Sequence, residues 1–252
     1  MTVHPLARPV AVDAGPTGVL LCHGFTGSPA SMTPWADFLV ERGYSVRVPR
    51  LPGHGTTWRE LNRTRWTDWY AEVDRAYTEL RERCERVVVA GLSMGGCLAL
   101  RLAEHHRDVA AVVLVNPAVN LERKDMLLVP FVRHFVPSIG GIGSDIRKDG
   151  VEESGYDRTP LHALHSQTKM WKDVRENLSS VDQPVLLFRS VTDHVVDASS
   201  APIILDGITS DSKREVLLHN SFHVATLDHD MDLIFAESAD FIAEHAGATG
   251  VG

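Results

Sequence analysis

Cysteine is scarce in this chain, with three among 252 residues. Cys22, Cys84 and Cys97 cannot all pair, and no two of them have the C-x-x-C spacing that zinc or dithiol chemistry uses. Each lies in or beside an apolar run, where a free thiol behaves as a small hydrophobe, so three reduced thiols in a cytoplasmic protein are expected. Basic charge is also in deficit: 25 lysines and arginines stand against 33 aspartates and glutamates, a net charge of −8. No run of five like charges occurs, and nucleic acid and anionic membrane surfaces are therefore poor partners. No segment reaches the roughly 18 consecutive apolar residues of a membrane span. Residues 1–18 carry prolines but no apolar stretch after their few basic residues, so a secretory leader is not expected. Repeats and low-complexity segments are missing as well.

What is present is core material. With 44% hydrophobic and 23% charged residues, the chain can bury the interior of a medium-sized globular domain, and disorder is excluded. Short apolar runs alternate with longer segments of helical period. The runs are Val19–Cys22, Tyr44–Val48, Val87–Ala90, Val109–Val115, Pro184–Phe188 and Glu215–Leu218. Most are continuously apolar, as strands covered on both faces should be. Between the first two, Met32, Trp35, Phe38 and Leu39 recur at helical spacing and Gly43 supplies the stop; between the next two, Trp69, Tyr70, Val73, Tyr77 and Leu80 do so after a Thr67-Asp68 start. Strand, helix, strand, helix predicts a mostly parallel twisted sheet with helices on both faces.

The rhythm breaks once, between Val115 and Pro184, over far more than an ordinary connection of about 2 to 6 residues. This predicts one domain over residues 1–252 with an inserted cap at about 119–180. The insertion opens with an apolar stretch from Met126 to Val136 and continues into a Gly-rich segment, Ser138 to Gly143, expected to be flexible. The pair reads either as a cap over a site or as a helix packed on the core.

The strongest local motif is Gly91-Leu92-Ser93-Met94-Gly95, set directly after the strand Val87–Ala90 and before the helical run Cys97–His105. A serine on a tight strand-to-helix turn projects its hydroxyl above the sheet, and only small residues two positions to either side avoid collision. Gly91, Gly95 and Gly96 supply that room. Ser93 is therefore a candidate nucleophile, and the amide of Met94 at the helix start a candidate anion donor. A serine hydroxyl needs a base, and the base needs an orienting acid. After the Pro184–Phe188 strand the loop offers Asp193 and Asp197; Asp193 is the preferred acid, because Asp197 precedes Ala198-Ser199-Ser200 as a helix N-cap would. After the last strand, His223 in Asn220-Ser221-Phe222-His223 is the preferred base, with His219 too near the strand and His229 too far into the closing helix. The order serine, aspartate, histidine is that of the α/β-hydrolase fold. A second oxyanion donor is the amide of Phe25, in the turn His23-Gly24-Phe25-Thr26-Gly27. His23 and His54, the latter in Leu51-Pro52-Gly53-His54-Gly55, are expected to brace their turns.

Those segments, together with Asp193-His194-Val195-Val196 and Ser221-Phe222-His223-Val224, resemble the bacterial monoacylglycerol lipases and the related small carboxylesterases of bacilli. The resemblance runs over about residues 18–247, with five motifs in order. It implies the triad Ser93, Asp193, His223, the oxyanion amides of Phe25 and Met94, and hydrolysis of carboxylic esters, monoacylglycerols above all, through an acyl-enzyme that needs no metal or organic cofactor. It further implies that Ile142 borders the glycerol end of the substrate and that Glu153 helps hold the glycerol hydroxyls. The partner is then a small lipid ester, with transient contact between the cap and lipid aggregates. Leu127, Leu128, Phe131 and Phe135 are too many for one short amphipathic face to hide on the core, so some of them are expected to line an acyl channel leading to Ser93, and the insertion departs from the family pattern around residues 122–137. A short-chain carboxylesterase and a hydrolase-like receptor with little turnover are the alternatives.

Overall fold

The computed structural model describes residues 3–122, 124–141 and 144–247. Its sheet has seven strands, β1 (Val10–Val12), β2 (Thr17–Cys22), β3 (Ser45–Val48), β4 (Arg86–Leu92), β5 (Val109–Val115), β8 (Val185–Ser190) and β9 (Lys213–Leu218), in the spatial order β1-β3-β2-β4-β5-β8-β9. All neighbours are parallel except β1, which lies antiparallel on β3 with Val10 opposite Val48. The major strands coincide with the predicted apolar runs to within two residues at either end. β1 has no counterpart in the sequence reading.

The central strands are buried on both faces, which is why their sequences are continuously apolar rather than alternating. On one face Leu20, Val87, Val89, Val112, Leu114 and Leu187 pack under α3 (Trp66–Arg81), α4 (Met94–His105), α6 (Leu161–Asn177) and α7 (Ser200–Gly207). On the other, Val19, Leu21, Val88, Ala90, Val113 and Phe188 pack under α1 (Thr33–Glu41) and α8 (Met231–Ala246), against Trp35, Leu39, Phe235 and Ile242. Each large apolar side chain taken out of water contributes about 1.5–3 kcal/mol, so the two faces together outweigh any single loop contact. α3 starts at Trp66, one residue before the expected Thr67-Asp68 start; the Asp68 carboxylate reaches back 2.8 Å to accept the Arg65 amide and close a capping box. A one-turn helix, α2 (Trp58–Leu61), precedes it.

The span between β5 and β8 holds two kinds of structure. α6 packs on α3 and α4 as an ordinary crossover helix of the body. Before it, the chain forms a lobe above the strand ends: a 3₁₀ turn at Lys124–Leu128, the short α5 (Val129–Val132), and a two-stranded antiparallel ribbon of β6 (Ser138–Gly140) and β7 (Arg158–Pro160). The Gly-rich stretch expected to be flexible is thus partly a strand, because Ile139 and its neighbours pair with Thr159 on the returning chain. Ile142 and Gly143 lie outside the described residues. Among the described residues, no helix is long and apolar enough to cross a membrane.

Candidate active site

Parallel strands send their following loops to one edge of the sheet, and the loops after β2, β3, β4, β5, β8 and β9 meet there. The pairing of β2 with β4 sets Cys22 opposite Gly91, so the turn after β2 abuts the turn after β4. Ser93 sits in that second turn with φ +56°, a conformation that costs a non-glycine residue about 1–3 kcal/mol. The surroundings hold it there. Its amide donates to the Val115 carbonyl at 3.0 Å, and its own carbonyl accepts the amides of Gly96 at 3.0 Å and Ala118 at 3.1 Å. The flanking glycines are obligatory: a Cβ on Gly95 would lie 2.0 Å from the Cys22 carbonyl oxygen, and one on Gly91 would lie 2.2 Å from the Gly95 backbone.

Helix α4 begins at Met94, directly after the strained turn, so the Met94 amide is one of the unpaired donors of a helix start. Opposite it stands the His23–Gly27 turn. Gly24 lies against Ser93, close enough that a Cβ there would be 3.5 Å from the Ser93 Cβ. Among the described residues no hydrogen bond engages the Phe25 amide, while the Phe25 ring packs on Trp69 at 5.9 Å and on His54 at 6.4 Å. His23 is fully buried; its Nδ1–H donates to the Gly24 carbonyl at 3.0 Å and its Nε2 accepts the Leu51 amide at 3.3 Å. Both ring nitrogens are committed to neighbouring turns, and burial lowers its pKa to about 4. His54 is likewise fully buried, and burial with His23 alongside holds it well below the ordinary histidine value.

Beyond β8 and β9 the two remaining loops converge. His223 is buried, and its Nδ1 stands 2.7 Å from Asp193 Oδ2. The other Asp193 oxygen accepts the amides of Val195 and Val196, both at 2.8 Å. Burial raises Asp193, but His223 and those two amides outweigh it and hold the carboxyl below its usual range. Burial lowers His223, yet the Asp193 carboxylate, aided by Glu153 and Asp145, raises its pKa above the ordinary value. Asp197 does not reach this pair. It accepts the amides of Glu122 at 2.7 Å and Ser199 at 3.0 Å, steadying the turn into α7 from just upstream of the helix rather than as its N-cap. His219 and His229 are both exposed. Asn116, at φ +44°, braces the His223 loop by donating to the His223 carbonyl at 2.8 Å and to Ser190 Oγ at 2.9 Å.

Ser93 and His223 open onto one cavity of about 430 Å³. Away from Ser93 its wall is apolar, built from Met126, Leu128, Val129 and Val132 of the lobe and Leu164 and Trp171 of α6. Of the four apolar residues, some of them expected to line a channel, Leu128 reaches the cavity wall, while Leu127, Phe131 and Phe135 face outward, at 75%, 71% and 88% exposure. In α5, Val129 and Val132, three residues apart, share the cavity face, while Phe131 between them falls on the outer side. Near Ser93 the wall includes Glu153, whose Oε1 comes so close to Gly27 that a Cβ there would stand 2.6 Å away. Burial raises the Glu153 carboxyl, against the pull of His223 and the Ser31 hydroxyl. Tyr156, unremarked in the sequence, pins the lobe to the Gly53 turn by donating its hydroxyl to the Gly53 carbonyl at 2.7 Å.

Residues 17–230 match the family model Hydrolase_4, described as serine aminopeptidase, S33. The chain belongs to this family. Within it, the chain is 42% identical over 248 residues to the thermostable monoacylglycerol lipase of Bacillus sp. (strain H-257), covering 96% of each chain. It is 28% identical over 239 residues to a carboxylesterase of Bacillus subtilis (strain 168), covering 93% of this chain and 96% of the relative. A solved structure from a study of the metagenome-derived lipolytic enzymes LipS and LipT superposes with a TM-score of 0.94 at 38% identity, covering 97% of this chain and all of that one. The expected resemblance to bacterial lipases and carboxylesterases is thereby borne out, and the fold is that of the α/β-hydrolases.

Proposed function

We propose that the protein hydrolyses carboxylic esters with Ser93 as nucleophile, His223 as general base and Asp193 as the group that orients it. The observation that carries this is the convergence of a strained serine at the strand ends and a carboxylate-paired histidine on one largely apolar cavity. His223 takes the Ser93 proton as Oγ attacks the ester carbonyl, and the developing oxyanion is met by the amides of Phe25 and Met94, each worth on the order of 3 kcal/mol. The histidine then returns its proton to the departing alcohol. A water activated by the same histidine releases the acid from the acyl-enzyme.

The monoacylglycerol class is supported by the 42% identical relative of that name and by the cavity's division. Its long apolar wall suits one acyl chain. Glu153 at the other end offers oxygens to a neutral, hydroxylated leaving group and repels anionic ones. Ile142 is proposed beside it on the family resemblance alone. The outward-facing Leu127, Phe131 and Phe135 support transient contact between the lobe, as a cap, and aggregated lipid. Buried, unpaired thiols at Cys22, Cys84 and Cys97 accord with a cytoplasmic location. The family's peptidase description supplies the rival substrate. Rates on monoacylglycerols of graded chain length, nitrophenyl esters, diacylglycerols and aminoacyl nitroanilides decide between them, with Ser93→Ala as control. Turnover of monoacylglycerols that vanishes in Ser93→Ala is expected; preferred cleavage of nitroanilides, or organophosphate labelling of another serine, overturns the reading.

A further inference from the structure

His223 and Asp193 come from separate loops, and part of what joins those loops belongs to neither. Asp145 lies in the lobe segment between β6 and β7 and is buried. Its Oδ2 accepts the backbone amides of His194 and His223, each at 3.1 Å, and its Oδ1 accepts the His194 Nδ1–H at 2.8 Å. Its carbonyl also accepts the Val224 amide at 3.1 Å. One carboxylate thus holds the residue after Asp193 and the backbone of His223 at once. The same segment is tied a second time: fully buried Asp228 accepts the amides of Arg147 at 2.7 Å, Lys148 at 3.0 Å and Phe222 at 2.9 Å. The Phe222 ring closes the arrangement edge-on to the His194 ring at 4.7 Å.

We propose that Asp145 is a positioning residue of the triad, a carboxylate supplied by the lobe that clasps the acid loop to the base loop and so fixes the His223–Asp193 pair. This rests on the reading of Ser93, His223 and Asp193 as a hydrolytic triad. Asn116 and Ser190, at the ends of β5 and β8, hold the base loop through the His223 and Phe222 carbonyls; Asp145 holds that loop to the acid loop through the His223 and His194 amides. Without it His223 can pivot, and a displacement of about 1 Å at a reacting group can reduce the rate about 100-fold. The charge matters too. The groups packed around the His223 loop are Asp193 and His194 of the acid loop, Asp145, Arg147 and Glu153 of the lobe, and Asp228 and Asp230 beyond the loop itself. Asp145 is one of three carboxylates that raise the His223 pKa.

The test is Asp145→Asn, which keeps size and one acceptor but turns an NH₂ donor toward backbone donors. Rates are divided by the number of sites titrated with an organophosphate, so only assembled sites are counted. The expected result is a kcat per site about 10- to 100-fold lower, a KM for a nitrophenyl ester within about twofold, and an acid limb of kcat/KM moved to lower pH. His194→Ala removes one of the three hydrogen bonds to the carboxylate and is expected to lower kcat per site about two- to fivefold, leaving the limb in place. A wild-type kcat per site in Asp145→Asn, with only thermal stability reduced, overturns the proposal and makes Asp145 a structural tie. If Asp145→Asn does not accumulate as folded protein, His194→Ala decides alone, and a wild-type kcat per site there overturns it. Failure to label Ser93 in the wild type would instead break the triad reading itself.

Discussion

The turn around Ser93 and the lobe around α5 lie on opposite walls of one cavity and are built on opposite principles. In the turn nothing can change: Gly91, Gly95 and Gly96 are pressed against backbone or against Pro117, and the paired strands β2 and β4 are buried at every residue but Arg86. In the lobe, an apolar stretch of similar length puts part of its side chains into the cavity and the rest into solvent. On the proposed function, a tightly held turn at Ser93 and a more exposed apolar wall opposite the polar end suit an enzyme that must place one carbonyl accurately yet admit a flexible chain. The two walls are not independent, since Asp145 ties the lobe to the His223 loop and Tyr156 ties it to the Gly53 turn.

The largest contrast is expected at Gly95. A methyl group there meets the Cys22 carbonyl carbon and oxygen, backbone that belongs to a central strand and cannot retreat. Gly95→Ala should destabilise the protein by at least about 3 kcal/mol or leave it unfolded, which thermal melting monitors. A variant with unchanged melting and organophosphate labelling would show that the turn is far softer than its contacts imply. Next comes Asp193→Asn, expected to lower kcat by about 10⁴ by leaving His223 in the wrong tautomer, while Asp197→Asn, whose carboxylate serves only local amides, should stay within about threefold. Because the folded pKa of His223 is raised and the base must be neutral, the acid limb of wild-type kcat/KM should have its midpoint above the ordinary histidine value of about 6.5. It should fall on loss of the Asp193 charge. Equal losses in the two asparagine variants would mean the orienting acid had been misassigned.

The same contrast governs what could be read from the chain. The body is written in periodicities: continuous apolar runs for strands covered on both faces, i, i+3, i+4 spacing for the helices, and a glycine-framed serine whose sterics admit one local geometry. β1 escaped because three residues on an antiparallel edge have no period to show. The Gly-rich segment misled for a related reason, since glycine marks conformational freedom and not whether a partner such as Thr159 removes it. α6 was submerged in the insertion although it belongs to the body, its mean apolarity being low while only one stripe faces inward. Of the residues around the triad, Ser93, Asp193 and His223 follow strands and could be located by order. Asn116, Asp145 and Tyr156 act through contacts between segments about 50 to more than 100 residues apart, and no local pattern announces them.

On the cavity side of the lobe, an intermediate effect is expected. Glu153→Ala should lower kcat/KM for a monoacylglycerol about tenfold, equivalent to about 1.4 kcal/mol, while changing hydrolysis of a nitrophenyl ester, which has no glycerol, by less than about threefold. Equal losses on both esters would assign Glu153 to holding the Gly27 turn rather than the substrate.

The smallest effect belongs to the lobe's outer side. Phe131 and Phe135 are 71% and 88% exposed and take no part in lining the cavity, so little apolar burial is lost when they are removed. The double replacement Phe131→Ser with Phe135→Ser should shift stability by no more than about 0.5 kcal/mol, or about 1–2 °C in melting temperature for a chain of this size. Turnover of a dissolved nitrophenyl ester should be unchanged. With monoacylglycerol presented above its aggregation threshold, the rate should fall about two- to fivefold, because adsorption then loses the two largest rings on that surface. A melting temperature lowered by 5 °C or more would mean that the outer side is structural after all, and that the lobe is built like the turn it faces. An unchanged rate on aggregated substrate would show instead that the exposed rings do not meet the lipid, and that substrate reaches Ser93 one molecule at a time.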